Sequence, residues 1–152
     1  MQTASHLLVF TLDDQQYALR LSAIERVLRA VAVTPMPKAP EIVLGIVNVH
    51  GRAIPAIDLR RRLGLPTRRL ELSDRFIVTR TARLSVIIVV DSVIGVTEYE
   101  PGEVTPAKSI LPKATSVEGV ACLTDGMIFI HNLDSFLSFE EERALTKALP
   151  AA

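Results

Sequence analysis

Turn residues cut this chain into short apolar runs, most of them with a period of two, and that pattern constrains its fold more than any other feature. "LLVFTL" (7–12) is followed by "DDQQ" and then by "YALRL" (17–21). In the second run Tyr17, Leu19 and Leu21 share one face, while Ala18 and Arg20 share the other. "GIVNVHGRAIPAIDL" (45–59) places two alternating arms around His50-Gly51. Glycine supplies the positive φ of a tight hairpin, and histidine is among the residues that tolerate it. Pro55 lacks an N–H, which predicts an edge position or a bulge for its arm. "LSVIIVVDSVIGVTEY" (84–99) is too long for one strand, so Asp91-Ser92 is expected to mark a bend between two sheets. "RFIVTR" (75–80) reads as a strand, and "VEGVACL" and "MIFIH" (117–131) read as a closing hairpin.

Helix signals are few. Ser22 and Glu25 match a capping box, which predicts a short helix over 23–29. Asp58 is the expected N-cap of a helix over 59–63, with Gly64 as its stop. Asn132 can cap "LDSFL", and Ser138 with Glu141 predicts a terminal helix over 139–149. "VAVT" (31–34) reads as an edge strand before the loop "PMPKAP" (35–40), whose prolines cannot support a ladder. The 152 residues suffice for one domain with a real core. Regularly spaced strands point to small barrels or a sandwich.

Charge and reactive residues exclude several classes of function. Seventeen basic and 17 acidic residues give no net charge, so nothing favours nucleic acid. The single cysteine, Cys122, cannot form an internal disulfide, and a buried structural thiol in a reducing compartment is expected. The N-terminal stretch lacks a basic region, and its apolar run breaks too early for a signal peptide. The most apolar stretch falls short of the roughly 20 residues that span a bilayer. A cytoplasmic chain without direct membrane insertion is expected. His6, His50 and His131 have no metal-ligand spacing, although a site assembled through the fold stays open. No nucleophile elbow, phosphate loop or dinucleotide fingerprint is present. The cationic run "RRRLGLPTRR" (60–69) reads either as a solvated face or as a surface for an acidic partner. Apolar residues exceed what one small barrel can hide, so some should line a groove or an interface.

Taken in order, these segments resemble the CheW family, the coupling proteins of bacterial chemotaxis. The resemblance runs from about Leu7 to Leu145. It rests on "LLVFTLDDQQYALRLSAIERV", on the Pro-rich loop leading to "GIVNVHGRAIPAIDLRRRLGL", on "VIIVVDSVIGV" and on "EGVACLTDGMIFIHNLDSFL". It implies a mainly β fold of two intertwined five-stranded SH3-like β-barrels, with short helices and a C-terminal helix. One barrel would come from about 22–89, the other from 7–21 with 90–134. It implies no catalysis, no cofactor and no metal. The implied partners are the cytoplasmic tip of a methyl-accepting chemoreceptor and the regulatory domain of a CheA-like histidine kinase. The receptor-side candidates are Leu21, Ile24, Arg26, His50, Arg60 and Phe76; the kinase-side candidates are Val33, Met36, Ile42 and Val43.

Two positions depart from the family pattern. His50 stands where the family usually carries arginine, and Arg26 stands where some members carry an acid able to pair with it. Either Glu25 takes over that pairing or the receptor has altered polarity. A CheW-like adaptor in type IV pilus, surface-sensing or polar-localisation pathways is the first alternative. A small-ligand-binding barrel is the second, and it requires His50, Arg52 and Asp58 in one closed cleft.

Overall fold

The computed structural model describes residues 5–81, 83–106, 117–123, 126–133, 141 and 143–145. The chain opens with strands β1 (Ser5–Leu12) and β2 (Gln15–Arg20), then crosses to β3 (Ile24–Arg29), β4 (Val43–Val49), β5 (Arg52–Ile57), β6 (Arg75–Arg80) and β7 (Ser85–Val90). It returns through β8 (Ser92–Tyr99), β9 (Val104–Pro106), β10 (Val117–Leu123) and β11 (Gly126–His131). The first sheet has the order β8-β1-β2-β11-β10-β9 and the second β3-β6-β7-β5-β4. Both are mixed, because β11 pairs parallel to β2 and β5 parallel to β7. Asp91 is the step between β7 and β8, where the chain passes from the second sheet to the first.

The expectation of SH3-like β-barrels is corrected by this topology. The sheets have six and five strands, and neither closes on itself. The chemistry of the edges explains why. The segment after β3 reaches β4 through a single bridge, Thr34 to Ile46, with N···O distances of 2.9 and 2.7 Å. Pro35, Pro37 and Pro40 follow and lack the N–H donors that would extend that bridge into a ladder. In the first sheet the edge strand β9 has three residues and ends on Pro106. The same bridge is all that forms of the edge strand expected over 31–34.

The helix expected over 23–29 is also replaced. A 3-10 turn occupies Leu21–Ala23, and β3 begins at Ile24. Its antiparallel ladder with β6 pairs Val27 with Ile77 and Leu28 with Phe76. A seven-residue helix is marginal without packing, so the ladder outcompetes the local cap signal. Other local signals hold. Asp13 and Asp14 turn β1 into β2 with φ of 49° and 67°. Asp58 caps α1 (Leu59–Arg62), its Oδ1 accepting from the Arg61 N–H at 3.4 Å. Pro55 lies in an internal strand rather than at an edge. However, β7 pairs with β5 only at Ala56 and Ile57, and the bulge falls on β4 at Leu44. Ser138 of the second capping box and most of 139–149 lie outside the described residues; Glu141 and Arg143–Leu145 are helical.

A shared core joins the sheets. Leu8, Phe10, Leu12 and Leu19 from the first pack with Ile57, Ile77, Val86 and Ile88 from the second. Each sheet also encloses a smaller core on its other side, around Val9 and Ile130 in the first and around Phe76 and Ile87 in the second. This two-sided burial explains why "SVIIVV" in β7 reads as a continuous apolar run rather than an alternating one.

Candidate functional site

The junction of the two sheets gathers the 3-10 turn, the start of β3, the β4–β5 tip and the adjoining ends of β6 and β7. At the tip His50 has φ 50° and Gly51 φ 85°, and the Gly51 N–H donates to Asn48 Oδ1 at 2.8 Å. His50 is therefore a turn residue on an exposed rim. Behind it Arg52 donates to Glu25 Oε2 at 3.3 Å and to Ser85 Oγ at 3.0 Å, while the Ser85 hydroxyl donates to Glu25 Oε1 at 3.2 Å. Glu25 thus pairs with a base two positions beyond His50. Arg26 and His50 are both exposed, and neither has a hydrogen bond or ion pair among the described residues.

Arg60 is not at this surface. Its guanidinium donates to both Asp91 oxygens at 2.8 and 2.7 Å and to the Pro66 carbonyl at 3.1 Å, and it pairs with Asp13 at 2.8 Å. Arg68 extends the network by donating to Asp74 and to Asp91, each at 2.6 Å. The backbone N–H of Asp13 reaches Asp91 at 2.9 Å. The β1–β2 turn, α1, the loop over 66–74 and the β7–β8 crossing are therefore tied through one carboxylate. Burial alone would push the Asp91 carboxyl up, but the hydrogen bonds from Arg60, Asp13 and Arg68 outweigh it and hold it below its ordinary value. The bond to Asp13 raises Arg60 despite its burial, and the bond to Asp74 raises Arg68 likewise. Of the cationic run, Arg60 and Arg68 serve structure.

The remaining candidates divide by burial. Phe76 is fully buried in the second sheet's own core, and Ile42 is buried in the shared one. Leu21 is 36% exposed. Ile24, Met36 and Val43 are part-buried against the shared core, and Val33 against that of the second sheet. Val33 also closes over Gly45: a Cβ built there lies 2.7 Å from Val33 Cγ1 and 2.2 Å from the Thr34 carbonyl oxygen. Cys122 is exposed, not buried as its alternating neighbours suggested, because β10 turns Ala121 inward and Cys122 outward.

Sequence reasoning missed two surfaces. Ile94, Val96 and Met127, on β8 and β11, are each more than half exposed. Alternation alone cannot say which face of a strand is covered. The other is a cleft of about 520 Å³ at the sheet junction, whose wall includes Arg20, Ser22, Arg80, Asn132 and Leu133. Among the described residues no His, Cys, Asp and Glu group could hold a metal ion, and no helix is long and apolar enough to cross a membrane. His50, Arg52 and Asp58 share no cleft: one is on the rim, one pairs with Glu25 and one caps α1.

Two interlocked open sheets with a partly apolar junction, and with the Arg60–Asp91 charge cluster engaged in structure, define a binding module. The chain belongs to the CheW family: the CheW-like domain model matches residues 6–141. It is a chemotaxis adaptor of the type that couples chemoreceptors to CheA-like kinases without catalysing a reaction. It is 28% identical over 140 residues to the chemotaxis protein CheW of Rhizobium meliloti, covering 91% of this chain and 90% of that one. It is 36% identical over 90 residues to the CheW of Thermotoga maritima, 59% of each chain. The crystal structure of the scaffolding protein TtCheW from Thermoanaerobacter tengcongensis superposes with a TM-score of 0.83 at 28% identity. That match covers 91% of this chain and 96% of that one.

Proposed function

We propose that this protein acts in the cytoplasm, at membrane-associated receptor arrays, holding a chemoreceptor tip and a kinase regulatory domain on two separate faces. The receptor face is formed by Leu21, Ile24, Arg26 and His50. Phe76 and Arg60 support it from within rather than touching the partner. The kinase face is formed by Val33, Met36 and Val43 around the Pro-rich loop, with Ile42 beneath. The observation that carries the receptor face is the exposure of Leu21 together with two bases, Arg26 and His50, that are unpaired among the described residues, on one open junction. Such a surface keeps its binding potential unspent in the free protein. Signals then pass by shifting populations within the three-part assembly.

The test is calorimetric titration of the purified protein with the regulatory domain of its own organism's CheA-like kinase and, separately, with a receptor-tip fragment. Binding of both supports the adaptor. Binding of one alone makes it an adaptor diverted from the usual chain of contacts, and binding of neither overturns the reading.

A further inference from the structure

Among the described residues the chain crosses between the sheets at Leu21–Ala23 and again at Asp91. The first crossing carries Leu21 on the receptor side and continues directly from β2, whose other end is the Asp13-Asp14 turn. The second crossing ties that same turn to the second sheet. The Asp13 N–H donates to Asp91 Oδ2 at 2.9 Å, the Asp91 N–H donates to the Thr11 carbonyl at 3.0 Å, and the Thr11 and Ser92 hydroxyls share a hydrogen bond at 2.6 Å. Arg60 binds Asp13 and Asp91 together, at 2.8 and 2.7 Å. Arg60 is held on α1, and the N–H of the helix cap Asp58 donates to the Ile42 carbonyl at 2.7 Å. Ile42 is buried under the kinase side and immediately precedes Val43, the first residue of β4. A cavity of about 40 Å³ walled by Asp58, Arg60 and Asp91 is also walled by Leu44, so the network reaches β4 a second time.

A contiguous path therefore runs from Leu21 along β2 to Asp13, through Asp91 and Arg60 to α1, and from Asp58 to the start of β4. Energetic coupling between two sites travels through such packed and hydrogen-bonded chains when they have discrete made and broken arrangements. The shared core also joins the sheets, but apolar burial is non-directional, whereas charge-assisted hydrogen bonds fix distance and angle. We infer that Asp91 is a positioning residue of the adaptor: its carboxylate sets β4 against the first sheet, so that occupancy of the receptor side changes the affinity of the kinase side. That the two sides belong to receptor and kinase rests on the adaptor reading above. The mechanical link rests on the hydrogen bonds alone.

The test is a titration of the intact protein with the kinase regulatory domain, without and with saturating receptor-tip fragment, in wild type and in Asp91→Asn. The substitution keeps the side chain's size and removes the charge that holds two guanidiniums. In the wild type, receptor occupancy should change the kinase-domain Kd about fivefold or more. In Asp91→Asn each partner alone should bind within about twofold of wild type, while the coupling falls below about twofold. Ile87→Val, a truncation in the second sheet's own core, should lower the unfolding midpoint and keep the coupling. Absence of coupling in the wild type, full coupling in Asp91→Asn, or an equal loss in Ile87→Val would each overturn the inference. If Asp91→Asn does not fold, Asp13→Asn carries the same comparison, with a partial loss expected because the Asp13 N–H still reaches Asp91. Amide resonances separate the link from the adaptor reading. Asp91→Asn should move those of Leu21 and of Ile42 to Leu44 whether or not either partner binds. Shifts confined to the direct hydrogen-bond partners of Asp91 would overturn the link even in a protein that binds both partners, and a wild type that binds neither overturns the assignment of the two sides.

Discussion

Glu25 and Arg52 pair at 3.3 Å across the junction, joining the first residues of β3 to the first of β5, with Ser85 bridging them. The family resemblance places an acid and a base one position after Glu25 and two before Arg52, where this chain has Arg26 and His50. The pairing has therefore moved deeper along the rim and left two bases outward. Arg52 is 57% exposed, so solvent screens the pair and its stability contribution is small. A double-mutant cycle over Glu25→Ala and Arg52→Ala, read by urea unfolding, should give a coupling below about 1 kcal/mol. A larger coupling would mean that the pair holds β3 in place.

Asp91 behaves differently because it serves Arg60, whose side chain is only 9% exposed. Removing the carboxylate leaves a nearly buried guanidinium with Asp13 and the Pro66 carbonyl. Asp91→Ala should cost about 3 kcal/mol, at the low end for a broken buried pair because Asp13 remains. Glu41→Ala, which breaks the exposed Arg61–Glu41 contact, should change stability by less than about 0.5 kcal/mol. Equal effects of the two substitutions in chemical unfolding would contradict the network's structural role.

The same network sets an acid limit. Asp91 is held below its ordinary value in the folded chain, so the unfolded chain binds its proton first as pH falls. Its contribution is fully present above an unfolded carboxylate value of about 3.9 and is lost as pH drops through the lower folded value. Arg60 and Arg68 stay protonated throughout that window and add no slope of their own. Unfolding free energy measured from pH 6 downward should fall less steeply below about pH 4 in Asp91→Asn than in the wild type.

Much of the architecture was legible wherever local chemistry decides the conformation. Asp13-Asp14, His50-Gly51 and the Asp58 cap are each fixed by neighbours in sequence, and the crossing at Asp91 showed as a polar break in a run too long for one strand. β3 was not legible, because its ladder partner β6 lies across two intervening strands while the capping-box residues Ser22 and Glu25 are only three positions apart. Strand spacing left barrels and a sandwich open, and the family resemblance chose barrels; single-sequence periodicity carries no statement about whether edges meet. Arg60, Arg61 and Arg62 look alike in sequence; α1 turns only the first toward Asp13 and Asp91. Arg80 had no signal, since a strand-terminal arginine is ordinary until a cleft forms beside it.

Gly45 tests the kinase face without replacing any of its candidate residues, since an added Cβ there presses on Val33 and on the Thr34 backbone. Its φ is +154°, and an added Cβ meets backbone that cannot yield, the Thr34 carbonyl at 2.2 Å. Gly45→Ala should break the Thr34–Ile46 bridge and cost about 2–3 kcal/mol, in the range of overpacked sites. Gly51→Ala meets open space and bears only its turn conformation, about 1 kcal/mol. If Val33, Met36 and Val43 hold the kinase domain, Gly45→Ala should weaken that binding even at temperatures where the protein remains folded, and Gly51→Ala should leave it intact.

Phe76 and Leu21 separate support from contact on the receptor face. Phe76 is fully buried beside Val78 and Ile87, so Phe76→Ala should cost about 3–5 kcal/mol and show as a lowered unfolding midpoint. Leu21 is 36% exposed on a three-residue turn, and Leu21→Ala should cost less than about 1 kcal/mol. If Leu21 touches the receptor, its truncation should weaken receptor-tip binding several-fold at unchanged midpoint. Phe76→Leu, which keeps most of the buried volume, should leave that binding near wild type. The reverse pattern would move the receptor contact away from the 3-10 turn, because burial allows Phe76 to act only through the strand that carries it.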